Sequence, residues 1–446
     1  MDEIRKSIRE IIADFQTMPL RNLTRRDMAI PVLPPGLNKV IALIGMRRTG
    51  KTCLLQQIYQ DLQTTQGVGR SQIIYINFED DRLEGVIADQ LRLITDTHAE
   101  MFPEQAGGPR FLFLDEIQAV AGWELFVRRL VDQGDLRIYL TGSSSKMLST
   151  EVASSLRGRG LSLEVSPFSF REYLRRLAIE IPERPDSKQT ALLKNRFREY
   201  LIVGGFPETI GADEELRIRI LQEYVLLAIH RDMVERHSIK NPEALKALIR
   251  ILLEQASSLF SINKTYNGFK SQGRSVSKDS LYRFIDYIQD AFLLFPVEVF
   301  SASQNRRLVN PKKIYAVDPG LVTAFSWKYA RNTGALLENA VYCELRGTYP
   351  QINYYRTKSG REVDFVGTGP TGRFRLFQVC ADIGDPQTLA RETAALWEAL
   401  DEMGIAEGVV VTLDEERRME QAGKQIRFLP AYAWFLDLEG RKTADL

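Results

Sequence analysis

Cysteine is scarce: Cys53, Cys343 and Cys380 are the only three in 446 residues. They are too few and too scattered for a disulfide framework or a zinc knuckle, so a reducing compartment fits best. Histidine is equally rare, and His98, His230 and His237 leave almost no raw material for a multi-imidazole metal centre. No apolar run approaches the ~18–20 residues that cross a bilayer. The stretch from Met1 to Phe15 is charged throughout rather than signal-like, so the expectation is a cytoplasmic protein with no membrane partner. Nor is there a surplus of one charge. The 59 Lys and Arg face 58 Asp and Glu for a net +1, which leaves any nucleic-acid site to a local patch.

What is present is an ordinary globular composition, 44% hydrophobic and 26% charged, over a length that predicts about three domains. Residues 1–35 form a lead-in, with Ile4, Ile8, Ile11, Ile12 and Phe15 at helical spacing before Pro31, Pro34 and Pro35 break the chain. Across residues 36–165 apolar runs alternate with amphipathic stretches: KVIALI, a helix after Gly50, IIYINF, a helix from Arg82 to Phe102, FLFL, another helix, and RIYLT. That alternation predicts an α/β unit with a parallel sheet. Residues 166–240 turn helical and charged around Gly204-Gly205-Phe206-Pro207, as a small lid would. Residues 241–310 show three helical patterns and then AFLLFPVEVF, whose Pro296 points to an edge strand or a turn into one. A winged-helix module fits that order. After the link NRRLVNPKK, residues 311–446 carry a helix (Leu336 to Arg346), paired strands around Tyr354 and Phe365, a strand RLFQV, a helix near Thr393 and a strand VVVTL, a second α/β domain.

The clearest chemical signal is Gly45-Met46-Arg47-Arg48-Thr49-Gly50-Lys51-Thr52, placed between an apolar strand and an amphipathic helix. Glycines there let backbone N–H groups wrap an anion, and the helix N-terminus adds partial positive charge. Lys51 would reach the β- and γ-phosphates of ATP, Thr52 would ligate Mg²⁺, and the binding segment would run on to Cys53. A buried-strand pattern ending in Asp115-Glu116 reads as the partner Walker B motif. Asp115 would hold the Mg²⁺ through water, and Glu116 would activate the attacking water. Asn77, ending the strand beside it, would hydrogen-bond Glu116 and hold it out of line, or else simply close a turn. Thr141 or Ser143 would sense the γ-phosphate, unless the segment is an ordinary Ser-rich loop.

In the middle module, Ser277 can cap a helix with Leu281, Phe284, Ile285 and Ile288 on one apolar face. Lys270, Arg274, Lys278 and Arg283 then stay outside, where they could meet DNA phosphates. With Asp279, Asp286 and Asp290 interspersed, a packing unit with solvated charges is the other reading.

These motifs, with T-G-S-S-S (141–145), L-R-G-R (156–159), S-P-F-S-F-R-E-Y (166–173), G-G-F-P-E (204–208), N-P-K-K-I-Y-A-V-D-P-G-L (310–321) and Q-V-C-A-D-I (378–383), resemble the prokaryotic AAA+ ATPases fused to a C-terminal domain of unknown function. The resemblance implies a nucleotide held between AAA+ core and lid, with Gly205 and Pro207 near the adenine. It also implies a homo-oligomeric ring or partial ring in which Arg157 or Arg159 is an arginine finger for a neighbour, worth ~10³–10⁵ in rate; a basic turn pairing with Glu164 or Glu172 is the alternative. The tail is similar to the restriction-endonuclease-like fold, where a helix glutamate, a hairpin aspartate and a strand Glu-x-Lys converge on Mg²⁺. Glu338 and Asp364 match the first two. The third motif is Gln378-Val379-Cys380, so one ligand charge and the lysine are both missing, which implies a degenerate domain kept for DNA or protein binding. The function expected is an ATPase coupling hydrolysis to assembly or to DNA or protein remodelling. The alternatives are an ATP-gated metal-dependent nuclease and a slow nucleotide-dependent switch or scaffold.

Overall fold

Strands rich in Val, Ile, Leu and Phe with no polar alternation must be covered on both faces, which is the situation of a parallel sheet. Four such strands, β1 (Val40–Ile44), β2 (Ile73–Asn77), β3 (Arg110–Asp115) and β4 (Leu136–Thr141), form one with a half-buried edge strand, β5 (Gly160–Glu164). Their order is β2-β3-β4-β1-β5, every pair parallel. The computed structural model describes residues 2–34, 36–105, 110–142, 156–326 and 332–438, and the chain divides into two units, Met1–Ser166 and Pro167–Leu446.

In the first unit, helices α1 (Asp2–Thr17), α2 (Lys51–Gln66), α3 (Arg92–Met101) and α4 (Trp123–Gln133) surround the sheet. The core gathers Phe15 of α1, Leu54, Leu55, Ile58 and Tyr59 of α2, and Tyr75, Phe113 and Tyr139 of the strands. Phe15 stacks on Tyr75 with ring centroids 5.7 Å apart. The helix read over Arg82 to Phe102 shortens to α3, preceded by 3-10 turns at Asp81–Leu83 and Ala88–Gln90. Gly85, at φ 78°, lies between those turns in a conformation that interrupts a right-handed helix.

The second unit begins with the helices Phe170–Arg176, Ser187–Val203 and Glu214–Leu227. They pack within this unit: Phe197 meets Phe435 with centroids 4.8 Å apart, and Arg198 pairs with Asp414. Next come the helices Pro242–Glu254, Ile262–Ser271 and Lys278–Asp290, interleaved with β6 (Ser258–Phe260), β7 (Leu294–Val297) and β8 (Lys312–Ala316). These strands form an antiparallel sheet of order β6-β8-β7. Pro296 therefore sits in an edge strand, where its missing N–H costs no ladder bond. The segment read as a link ends in the central strand β8, so this sheet crosses the 310/311 division.

The tail is a six-stranded mixed sheet of order β13-β14-β12-β11-β10-β9, built from β9 (Gln351–Arg356), β10 (Glu362–Thr368), β11 (Phe374–Val379), β12 (Glu407–Thr412), β13 (Arg417–Gln421) and β14 (Lys424–Pro430). The helices Thr333–Arg346 and Pro386–Met403 accompany it. No helix among the described residues is long and apolar enough to cross a membrane.

Candidate functional site

The loop between β1 and α2 is shaped by backbone that only glycine accepts without strain. Gly45 has φ 140°, and a Cβ there would lie 2.5 Å from the Val165 carbonyl oxygen, too close for any side chain. Inside the loop the Thr49 hydroxyl donates to the Met46 carbonyl at 3.0 Å. Lys51, only 5% exposed, folds back and donates from Nζ to the Gly45 and Met46 carbonyls at 3.1 and 2.9 Å. Arg47 is half-buried, whereas Arg48 and Cys53 are exposed. The buried Arg26 guanidinium ties the loop down, donating to Thr49 O at 2.8 Å and Ser166 O at 2.6 Å. With the first N–H groups of α2 lacking intrahelical partners, this is an anion cradle with a cation at its mouth.

Facing it, Asp115 ends β3 almost fully buried. Its carboxylate accepts from the hydroxyls of Thr52 at 3.2 Å, of Tyr75 at 3.0 Å, and of Thr141. Burial raises its pKa above the usual aspartate range; the hydroxyls of Thr141, Tyr75 and Thr52 pull the other way, and the charge of Glu116 adds to the rise. A carboxylate and a hydroxyl, met by neutral donors only, are the hard oxygens that Mg²⁺ takes, so the residues present fit that ion.

Glu116 follows in a left-handed conformation, φ 54°, and its N–H donates to Thr141 Oγ1 at 3.0 Å. Its side chain is not held by Asn77. Asn77 lies in register with Asp115 on the neighbouring strand, but its Oδ1 accepts the Glu79 N–H at 3.0 Å, which closes a turn instead. The amide that reaches Glu116 is that of Gln118, donating to Oε2. Glu79 is a further carboxyl here: burial and the charge of Glu116 raise its pKa, while Arg47 and Arg48 oppose the rise. Ser143 lies outside the described residues.

Of the two arginines in L-R-G-R, Arg159 pairs with Asp132, donating at 2.7 and 3.2 Å. Arg157 is exposed, with φ 50°. Gly205 and Pro207 belong to the second unit. The Gly205 amide donates to the buried Asp318 at 2.6 Å, and its carbonyl accepts from Phe168 N at 2.7 Å. Burial raises the Asp318 carboxyl to about 7, against the N–H groups of Gly205, Gly320 and Leu321, which favour the ionised form.

In the tail, Glu338, from the helix Thr333–Arg346, and Asp364, from β10, converge with Glu362 on a cation the chain supplies itself. Lys313 of β8, its side chain 4% exposed, places Nζ 3.0 Å from Glu338, 2.8 Å from Glu362 and 2.8 Å from Asp364. The Tyr315 hydroxyl adds a bond to Glu338 at 2.7 Å. Burial alone would lower the Lys313 pKa, but the charge of Asp364, with Tyr315, Glu338 and Glu362, leaves it raised. Burial and Asp364 raise Glu338. Gln378 accepts the Asp364 N–H and donates to Glu392 at 2.6 Å. Cys380 donates to the Asp382 carbonyl, and burial pushes its thiol up to about 11. Among the described residues no group of three or more His, Cys, Asp or Glu is arranged to hold a metal ion.

On the helix Lys278–Asp290, Ser277 caps the N-terminus and Leu281, Phe284, Ile285 and Ile288 are the buried face. Lys270, Arg274, Lys278 and Arg283 are exposed, as is Tyr282. Lys278 Nζ lies 5.3 Å over the Tyr266 ring and Arg274 lies 5.6 Å over Phe269.

Family models match in three segments: an AAA domain over residues 37–174, a domain of unknown function (DUF8612) over 194–331, and another (DUF4143) over 333–434. The uncharacterized protein MJ1544 of Methanocaldococcus jannaschii is 33% identical over 438 residues, covering 96% of this chain and 94% of the relative. This chain belongs to that AAA-domain family. An uncharacterized protein of Haemophilus influenzae is 31% identical over 330 residues, covering 74% of this chain and 78% of the relative. Among solved structures, the Aeropyrum pernix ORC2 protein in ADPNP-ADP complexes is 10% identical, covers 74% of this chain and 94% of that one, and has a TM-score of 0.39. The A. pernix ORC1 protein in complex with DNA is 16% identical, covers 74% and 93%, and has a TM-score of 0.27.

The AAA-domain protein thus has an ATP-binding P-loop core. Sequence reasoning missed Arg26, Tyr75, Glu79, Gln118 and Lys313. A short run around one motif carries no sign that a residue 20 or more positions away in the chain will fold onto it. Gln118, two residues from Glu116, is the exception: a polar side chain just after the acidic pair was a legible signal.

Proposed function

We propose that this AAA-domain protein hydrolyses ATP with Mg²⁺ in an assembled homo-oligomer and couples turnover to remodelling of DNA or of a protein partner. The observation that carries the reading is the meeting of Thr52, at the helix N-terminus behind the P-loop, with the buried Asp115 carboxylate at 3.2 Å, one residue before Glu116. The loop amides and Lys51 bind the phosphates, and Lys51 is released to do so when the phosphates replace its hold on Gly45 and Met46. Thr52 and Asp115 would hold Mg²⁺, which when bound supplies charge neutralisation between the phosphates. Glu116 takes the proton of the attacking water. Thr141 holds Asp115 and the Glu116 backbone together, and so fixes the distance between metal ligand and base. Arg157, exposed and without an ion pair or hydrogen bond among the described residues, is the finger offered to a neighbouring subunit; Arg159 supports the turn through Asp132.

The β6-β8-β7 sheet with its three helices is read as a winged helix whose exposed Lys270, Arg274, Lys278 and Arg283 meet DNA phosphates. The tail is read as a restriction-endonuclease-like fold without nuclease chemistry, because Lys313 already occupies the place between Glu338 and Asp364 where a metal ion would sit. The test follows phosphate release from Mg-ATP with and without duplex DNA. Glu116→Gln is expected to lose turnover about 100-fold or more while keeping ADP affinity; undiminished turnover would overturn the assignment. Lys278→Ala and Arg283→Ala should each weaken DNA binding and reduce its salt slope by about 1.

A further inference from the structure

We infer that the outward face of the helix Glu214–Leu227 is a self-association surface, on which a second copy of this chain docks the same face antiparallel across a two-fold axis. The inner face of this helix is already spent, with Arg217, Leu221, Tyr224 and Val225 buried. Arg217 donates to the Ile202 carbonyl at 3.0 Å and Gln222 to the Ala324 carbonyl at 2.8 Å, so the helix is fixed before any partner arrives. What it turns outward is a single stripe, because positions 216, 219, 223 and 226 recur at the three- and four-residue spacing of one helical face. Leu216 is 48% exposed and Leu226 46%, while the side chains of Arg219 and Glu223 are 79% and 64% exposed. Ile220 and Leu227, half-buried, border the stripe.

Isolated surface leucines need no partner. These differ in their order. Leu216 and Leu226 lie five positions to either side of Leu221, and Arg219 and Glu223 lie two positions to either side of it, so the stripe Leu-Arg-Glu-Leu read backwards is its own complement. A two-fold axis crossing the helix at Leu221 sets Leu216 against Leu226 of the second copy and Arg219 against Glu223 of the second copy, and each contact occurs twice, as an isologous interface requires. A parallel pair would oppose Arg219 to Arg219 and Glu223 to Glu223, which like charge disfavours. Within the helix, Arg219 Nε is 3.6 Å from Glu223 Oε1, but an exposed pair with the arginine four residues before the glutamate is in the weaker order and adds little to the helix itself. Between two copies the same four charges close into an alternating square flanked by two leucine contacts. A 14-residue helix is only about 21 Å long, short of the ~800 Å² per partner of a standard interface, so the association is reversible and in the micromolar range. It goes beyond the assembly proposed above: Arg157 belongs to the first unit and is offered head to tail, whereas this contact joins two chains as equals and needs no nucleotide.

The experiment follows the mass of the nucleotide-free full chain by sedimentation velocity over a concentration series of roughly 1–100 μM. Wild type should pass reversibly from monomer to dimer. Arg219→Glu and Glu223→Arg each turn both pairs across the axis into like charges, and each should weaken association about ten-fold or more. Mixed one to one, the two variants restore both pairs, because the charges of one copy meet their opposites in the other, so the mixture should recover most of the lost affinity as a heterodimer. Only a contact between chains produces that rescue, and thermal melting of each variant checks its fold. Arg157→Ala should dimerise like wild type; a loss there would place the contact at the finger instead. A wild type that stays monomeric throughout, single variants that associate like wild type, or a mixture that stays monomeric overturns the assignment. Failure of ATP turnover or of nucleotide-driven assembly is a separate result, since the series contains no nucleotide.

Discussion

Two buried carboxylates, Asp115 in the first unit and Asp364 in the second, end up in opposite electrostatic situations. Asp115 is surrounded by hydroxyls of Thr52, Tyr75 and Thr141, neutral donors that orient it but leave its charge uncompensated. Asp364 meets the ammonium of Lys313 at 2.8 Å, which also takes Glu338 and Glu362. A buried charge must be neutralised by proton, ion or partner. In the second cluster the chain itself supplies a cation, whereas in the first the bonds to the Asp115 carboxylate come from hydroxyls and not from a side-chain cation, and on the proposed reading Mg²⁺ takes that place. The proposed function therefore places phosphate chemistry at the first cluster alone, although both motifs read as acidic metal sites in one dimension.

The largest effect is expected at Asp115, the ligand proposed for Mg²⁺. Asp115→Asn should cut Mg-ATP turnover about 100-fold or more, whereas Asp364→Asn and Glu338→Gln should leave it within about two-fold, measured as phosphate release; a large loss from the tail variants would erase the contrast. Next in size is Lys313→Met, which strands Glu338 and Asp364 without their cation and should cost about 3–5 kcal/mol in denaturant unfolding. Combining it with Glu338→Gln and Asp364→Asn should recover much of that loss. A smaller effect sharpens the picture of buried acids in the second unit. Asp318 is raised from 3.8 to about 7, so between those values the native chain keeps a proton that the unfolded chain has lost. Its contribution to stability therefore falls as pH rises across that window and is gone above it. The unfolding midpoint should drop from about pH 5 to about pH 8, and Asp318→Asn, whatever its overall cost, should flatten that slope.

The parallel core was legible because a strand buried on both faces spells itself as an unbroken apolar run: VIALI, IIYIN and RFLFLD each became a strand. The strand β13, RRMEQ, was not, since it is mostly exposed and owes its place to pairing with β14 rather than to any apolar face. The helix read over Arg82 to Phe102 overran its start because amphipathic spacing persists through residues that a single left-handed glycine keeps out of a helix. At the candidate site, the P-loop and acidic pair were visible as contiguous motifs. For Asn77 the sequence leaves two readings, a bond to Glu116 or a turn closed at the strand end, and register does not reveal that a backbone N–H two residues on takes the side-chain oxygen.

What sequence by itself determined is local: which runs are buried, where glycine allows the backbone to close on an anion, which carboxylates end a strand. Tertiary structure alone decided charge compensation. Lys313 reads as one of two lysines after a proline in a connecting segment, and becomes the cation shared by Glu338, 25 positions away, and Asp364, 51 positions away, only when β8 enters its sheet. Coulomb energies depend on distance in space and on the water excluded along the way, and neither quantity is written in the order of residues.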